Sequence, residues 1–95
     1  SRGLGDVYKR QMVPELAEKM TAANFAALQK QLKEQFGIQK SVRFAVYERF
    51  DQGDRLTYLV GFSRQQAVRA VYGFDKNGKL SEFVFVPLEV KAVQK

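Results

Sequence analysis

The chain has 95 residues, with 16 Lys and Arg against 10 Asp and Glu for a formal charge of +6, and it contains neither Cys nor His. The absence of Cys excludes disulfides, thiolate metal sites and a Cys nucleophile, and the absence of His removes the commonest general base and zinc ligand. A chain this short holds one domain at most, with a core that is marginal unless a partner or further segment adds to it, and no apolar run approaches the length of a membrane span.

Two helices open the pattern. Pro14 suits the first turn of a short helix over 13–20, with Glu15 and Glu18 near the positive end of its dipole and Leu16 and Met20 on one face. Thr21 reads as the N-cap of a longer helix reaching Phe36, in which Phe25, Leu28, Leu32 and Phe36 recur at spacings of three and four. Lys30, Lys33 and Glu34 then face water. Gly37 stands where a helix commonly ends with positive φ.

Beyond Gly37 the period shortens from about 3.6 to 2, and four strands are expected, each closed by a turn. The first, over 41–50, alternates Val42, Phe44, Val46, Glu48 and Phe50 against Arg43, Ala45, Tyr47 and Arg49. A polar turn over 51–54 leads to a strand over 55–63, and a short loop over 64–66 leads to a third strand over 67–75. Asn77-Gly78 marks the tightest hairpin, since that dipeptide tolerates the positive φ such turns demand. The last strand runs from Lys79 to about Val86, with Pro87 ending its ladder. The expected fold class is α+β: one or two N-terminal helices packed on a curved four-stranded antiparallel meander. Tyr72, Phe83 and Phe85 alternate with further apolar residues, so the strands look apolar on both sides, which calls for cover on both.

Two resemblances bear on this chain. Residues 1–11, SRGLGDVYKRQ, resemble the in-frame translation of a transposase-library sequencing adapter ending in the transposon mosaic end. That resemblance implies that 1–11 is an artefact of a metagenomic fragment and that 12–95 is a single, N-terminally truncated α+β domain. Without the eleven residues, 13 Lys and Arg face 9 Asp and Glu, a balance of +4. Separately, Thr21-x-x-Asn24-Phe25, the Phe36-Gly37 helix end, Tyr58 in a strand and Phe74-Asp75-Lys76-Asn77-Gly78-Lys79-Leu80 before a Phe-rich strand resemble a bacterial domain of unknown function in the cystatin-like, nuclear-transport-factor-two-like superfamily. Such domains occur alone behind a signal peptide or next to an α/β-hydrolase domain. The likeness covers roughly residues 16–87 and implies a half-cone fold, an exported bacterial setting and a further N-terminal helix ahead of the residues present here. Asn24 departs from the Glu or Gln of a capping box, which weakens that cap.

The resemblance favours a non-catalytic accessory or small-ligand-binding module, with no cofactor and no metal. Its pocket is expected between the helix over 22–36 and the sheet, lined by Phe25, Phe44, Val46, Glu48, Tyr58 and Val60, and suited to a small apolar ligand. The alternative is a self-association or docking domain, either a homodimer or a partner to an adjacent hydrolase domain, using an outer apolar face of Tyr72, Phe83 and Phe85. Third comes a pocket enzyme of isomerase or dehydratase type, which requires Glu48 or Glu82 buried beside Tyr58 with a raised pKa. The competing reading of those glutamates is a pair with Arg49, Arg55, Arg69 or Lys79 near a sheet edge. Arg43, Arg49, Arg55, Arg64 and Arg69 with Tyr47 or Tyr72 are the ingredients of a nucleic-acid surface, but acidic residues alternate with them, which argues against that partner.

Overall fold

A computed structural model describes residues 11–88 of the chain. Of the segment that resembles an adapter only Gln11 falls among them, and residues 89–95 also lie outside. Among the described residues two helices precede a four-stranded antiparallel sheet, an α+β arrangement with a helix laid over a meander.

Helix α1 (Pro14–Lys19) begins with proline in its first turn, where the missing N–H has no helical partner to lose. Helix α2 (Ala22–Phe36) starts at Thr21, whose Oγ1 accepts from the Asn24 backbone N–H at 3.1 Å. Asn24 adds a bond that a glutamate there could not make: its Nδ2 donates to the Lys19 carbonyl at 2.7 Å, tying the end of α1 to the start of α2. At the other end Gly37, with φ 93°, donates to Lys33 O at 2.8 Å. A β-carbon at Gly37 would strike Ser63 Oγ, so both conformation and space demand glycine. Arg64 completes this terminus. Its Nη2 donates to the carbonyls of Lys33 and Glu34, placing a cation on the negative end of the helix dipole.

The sheet follows the chain in order: β1 (Gln39–Phe50), β2 (Gly53–Phe62), β3 (Val68–Asp75) and β4 (Leu80–Pro87). The first turn is shorter than its polar sequence suggests. Gly53 and Asp54 pair with Phe50 and Arg49, which leaves only Asp51 and Gln52 as the connection. At the last hairpin Gly78 alone takes positive φ, at 76°, while Asn77 does not. Asp75 Oδ1 accepts from the N–H groups of Asn77 and Lys79, both at 2.9 Å, so the aspartate carries a turn whose left-handed step falls on the glycine. β4 extends to Pro87, which stands opposite Val68 on the sheet's outermost strand, where its missing donor is tolerated.

Two register breaks in β1 change which side chains share a face, one between Gln39 and Ser41, where Lys40 is inserted, and one further along. The β1 register breaks between Phe44, opposite Tyr58, and Val46, opposite Thr57, so Ala45 is an inserted residue. Strict alternation placed Val42, Phe44, Val46 and Glu48 together. The bulge instead keeps Val42 and Phe44 with Tyr58 and Val60 but sends Val46 and Glu48 to the opposite side with Thr57 and Arg55.

The core is small and lies toward one end. Phe36, Val60, Phe62, Val68 and Ala70 are buried, with Leu32, Tyr58, Tyr72 and Phe85 packed against them. Phe36 and Phe62 meet at 5.4 Å between ring centroids, their planes tilted by 46°. Burial on α2 is concentrated near its C-terminus: Phe36 is 4 % exposed, Leu32 and Leu28 are half-buried, and Phe25 near the start is 38 % exposed.

Candidate functional site

Because α2 is anchored at its C-terminal end, a space of about 860 Å³ remains between the helix and the sheet. The helix contributes Phe25, Leu28 and Leu32. The sheet contributes Val42, Tyr58, Val60, Tyr72, Phe83 and Phe85, with Met12 and Leu80 at one side. Exposed Gln29, Lys33 and Gln39 supply the polar margin.

Its floor is an aromatic row that crosses all four strands. Phe44 meets Tyr58 at 5.7 Å, Tyr58 meets Tyr72 at 6.0 Å, and Tyr72 meets Phe85 at 6.5 Å, each edge to face. Phe83 joins Phe85 at 6.0 Å in the same geometry. The register explains the row. Phe44 and Tyr58 are directly opposed, whereas Ala70 stands opposite both Tyr58 and Phe85, so the rings of Tyr58 and Phe85 reach diagonally to Tyr72 across the space a small residue leaves.

The residues expected at the pocket separate into two sets. Phe25, Tyr58 and Val60 line the groove, and Phe44 joins its floor through Tyr58. Val46 and Glu48 stand on the other side of the sheet, for the reason the bulge gives. Tyr72, Phe83 and Phe85, expected on an outer face, line this same groove, because their strand positions are in register with Leu56 and Tyr58 rather than with Thr57. Met12 was not singled out from the sequence. It is 8 % exposed and bridges to Leu80 in parallel, while Val13 N donates to Leu80 O at 2.9 Å, and no local pattern announces that pairing.

No protein-family model, curated protein or solved structure matches the chain.

The opposite face of the sheet carries the charge. Glu48 sits across from Arg55, with Oε1 accepting from Nε at 2.9 Å and Oε2 from Nη2 at 3.2 Å, and this fork holds the Glu48 carboxyl below its ordinary pKa. Arg55 also lies over the Phe50 ring at 4.8 Å. Glu82 is exposed and lies over Gly73. Neither glutamate is buried beside Tyr58, so the geometry required for proton transfer by such a pair is not assembled. The arginines are divided too: Arg43, Arg55 and Arg69 share the charged face, away from the aromatic row, Arg49 stands opposite Asp54 on the helix side, and Arg64 caps α2. Within the groove Tyr72 has its pKa raised, first by burial and then by neighbouring Tyr58, so its hydroxyl stays protonated and able to donate well into the alkaline range. Among the described residues no cluster of three or more acidic side chains could hold a metal ion, and no helix is long and apolar enough to cross a membrane.

Proposed function

We propose that this domain is a non-catalytic binding module whose ligand is a small, predominantly apolar molecule held between α2 and the aromatic row. The observation that carries the reading is the groove itself. Its volume of about 860 Å³ falls within the range of small-molecule sites, and its walls combine apolar side chains with two tyrosines and a polar margin. An aromatic floor binds flat or extended hydrocarbon with little ordering cost, since each ring has only two side-chain torsions to fix. Lys33 and Gln29 at the rim favour a ligand with one polar or anionic end facing out. The resemblance to cystatin-like, nuclear-transport-factor-two-like domains supports the same reading and suggests an exported bacterial protein as its setting.

Titration with anilinonaphthalene sulfonate tests this. Saturable fluorescence enhancement is expected from a chain that still unfolds cooperatively. Leu28→Trp should fill the groove from the helix side and abolish the enhancement, whereas Val84→Trp, on the charged face, should leave it unchanged. Equal dye binding by both variants, or none by the native chain, would remove the proposal.

A further inference from the structure

The two edges of the sheet are covered unequally. On β4, Met12 bridges to Leu80, and Gln11 and Val13 hydrogen-bond the Leu80 backbone, while Phe83 and Phe85 are half-buried in the groove wall. On β1, among the described residues, nothing pairs with the outer edge. Yet β1 is the longest strand, at 12 residues, and contains no proline. Its apolar side chains stay open on both faces: Phe44 is 58 % exposed on the helix side and Val46 is 44 % exposed on the charged side. A long edge with unpaired N–H and C=O groups and exposed apolar side chains is a template for another strand.

We propose that this edge is occupied by a second copy of the same chain, the two β1 strands pairing antiparallel to join two four-stranded sheets into one of eight strands. The charges choose the register. β1 carries Lys40, Arg43 and Arg49, so most alignments of two copies either bring cations together or leave them unmatched. When Phe44 of one chain stands opposite Tyr47 of the other, Arg43 falls opposite Glu48, and twofold symmetry makes the pair twice. Arg49 then meets Val42. A slip of two positions in either direction sets Arg43 against Val46 or Phe50 and Glu48 against Ser41 or Ala45, so neither then faces an opposite charge.

The bulge makes this register self-consistent. Phe44 and Tyr47 are three residues apart and would occupy opposite faces of a regular strand, but with Ala45 inserted both stand on the helix side, opposite Tyr58 and Leu56. Arg43 and Glu48 both stand on the other side, opposite Leu59 and Arg55. Helix-side residues therefore meet helix-side residues, both α2 helices lie on one face of the joined sheet, and Phe44 at the end of each aromatic row contacts Tyr47 of the copy. One-residue slips set the two faces against each other and lose this match.

Sedimentation velocity on the full chain, from micromolar to millimolar concentration, should show a monomer–dimer equilibrium. Arg43→Glu and Glu48→Arg should each weaken it about tenfold or more, since each replaces two attractive pairs by two repulsive ones. An equimolar mixture of the two variants should recover dimer, because the pairs between unlike chains are attractive again. A native chain that stays monomeric throughout, a dimer indifferent to both substitutions, or a mixture that fails to recover would each overturn the proposal. Should Glu48→Arg not fold without its Arg55 partner, Arg43→Glu alone decides, and dimerisation as strong as that of the native chain would overturn the proposal. None of these outcomes depends on whether the groove takes a ligand.

Discussion

Tyr58 and Tyr72 meet edge to face at 6.0 Å across β2 and β3, midway along the aromatic row, and they are the two hydroxyls among the groove's lining. Burial is the larger cause of the raised Tyr72 pKa, with Tyr58 second. A raised folded-state pKa means that the associated stability is complete below the unfolded value of about 10 and is lost as pH rises through the folded value. Thermal unfolding followed from pH 8 to 11.5 should therefore show a falling melting temperature, with a shallower alkaline slope in Tyr72→Phe. An unchanged slope in that variant would place the titrating group elsewhere.

The Glu48–Arg55 fork predicts the opposite pH dependence. A depressed carboxylate pKa stabilises the fold above the unfolded value, about 4.3 for Glu, and that contribution disappears as pH falls through the folded value. The side chains are 39 % and 45 % exposed, so water and salt screen the pair and its effect is small. Glu48→Gln should melt slightly below the native chain at pH 7, and the gap should close by pH 3. A carboxyl carbon titration by NMR gives the direct check, with Glu48 expected to titrate below the ordinary glutamate value.

Phe36 is the anchor of α2. Truncating it to alanine removes a buried ring packed against Phe62 and should cost about 3–5 kcal/mol, comparable with the whole stability of a small domain. Loss of the cooperative transition in chemical denaturation is expected. Val84→Ala, at a side chain 48 % exposed, should shift the midpoint only slightly. Comparable shifts for the two would contradict the core described here.

Gly37 and Gly78 separate steric from conformational demand. Both have positive φ, but a β-carbon at Gly78 meets open space whereas one at Gly37 meets Ser63. Gly78→Ala should cost about 1–2 kcal/mol for the left-handed backbone alone. Gly37→Ala should cost more, and Gly37→Ala with Ser63→Gly should recover the steric part while losing the Ser63 bond to Ile38 N. Denaturation midpoints for the three variants decide it.

The sequence by itself determined what local chemistry determines: two helices, four strands, the Thr21 cap, the Gly37 stop and the hairpin at Gly78. Side-chain periodicity, caps and turn residues act over a few positions, so each was legible without the rest of the chain. Tertiary structure decided which faces those elements share. The Ala45 bulge inserts one residue and reverses the second half of β1, carrying Val46 and Glu48 away from Tyr58, and alternation alone cannot place such a step. Tyr72, Phe83 and Phe85 are apolar on strands whose other faces also carry apolar residues, so composition could not say which side meets the helix. That was settled by where Phe36 and Leu32 dock. Arg64, one more surface cation in the sequence, caps α2 because the β2–β3 loop returns to it from thirty residues away. The groove has the same origin. A helix held at one end by Phe36 leaves its other end standing over the aromatic row, and that space belongs to the packing of distant elements, not to any one of them.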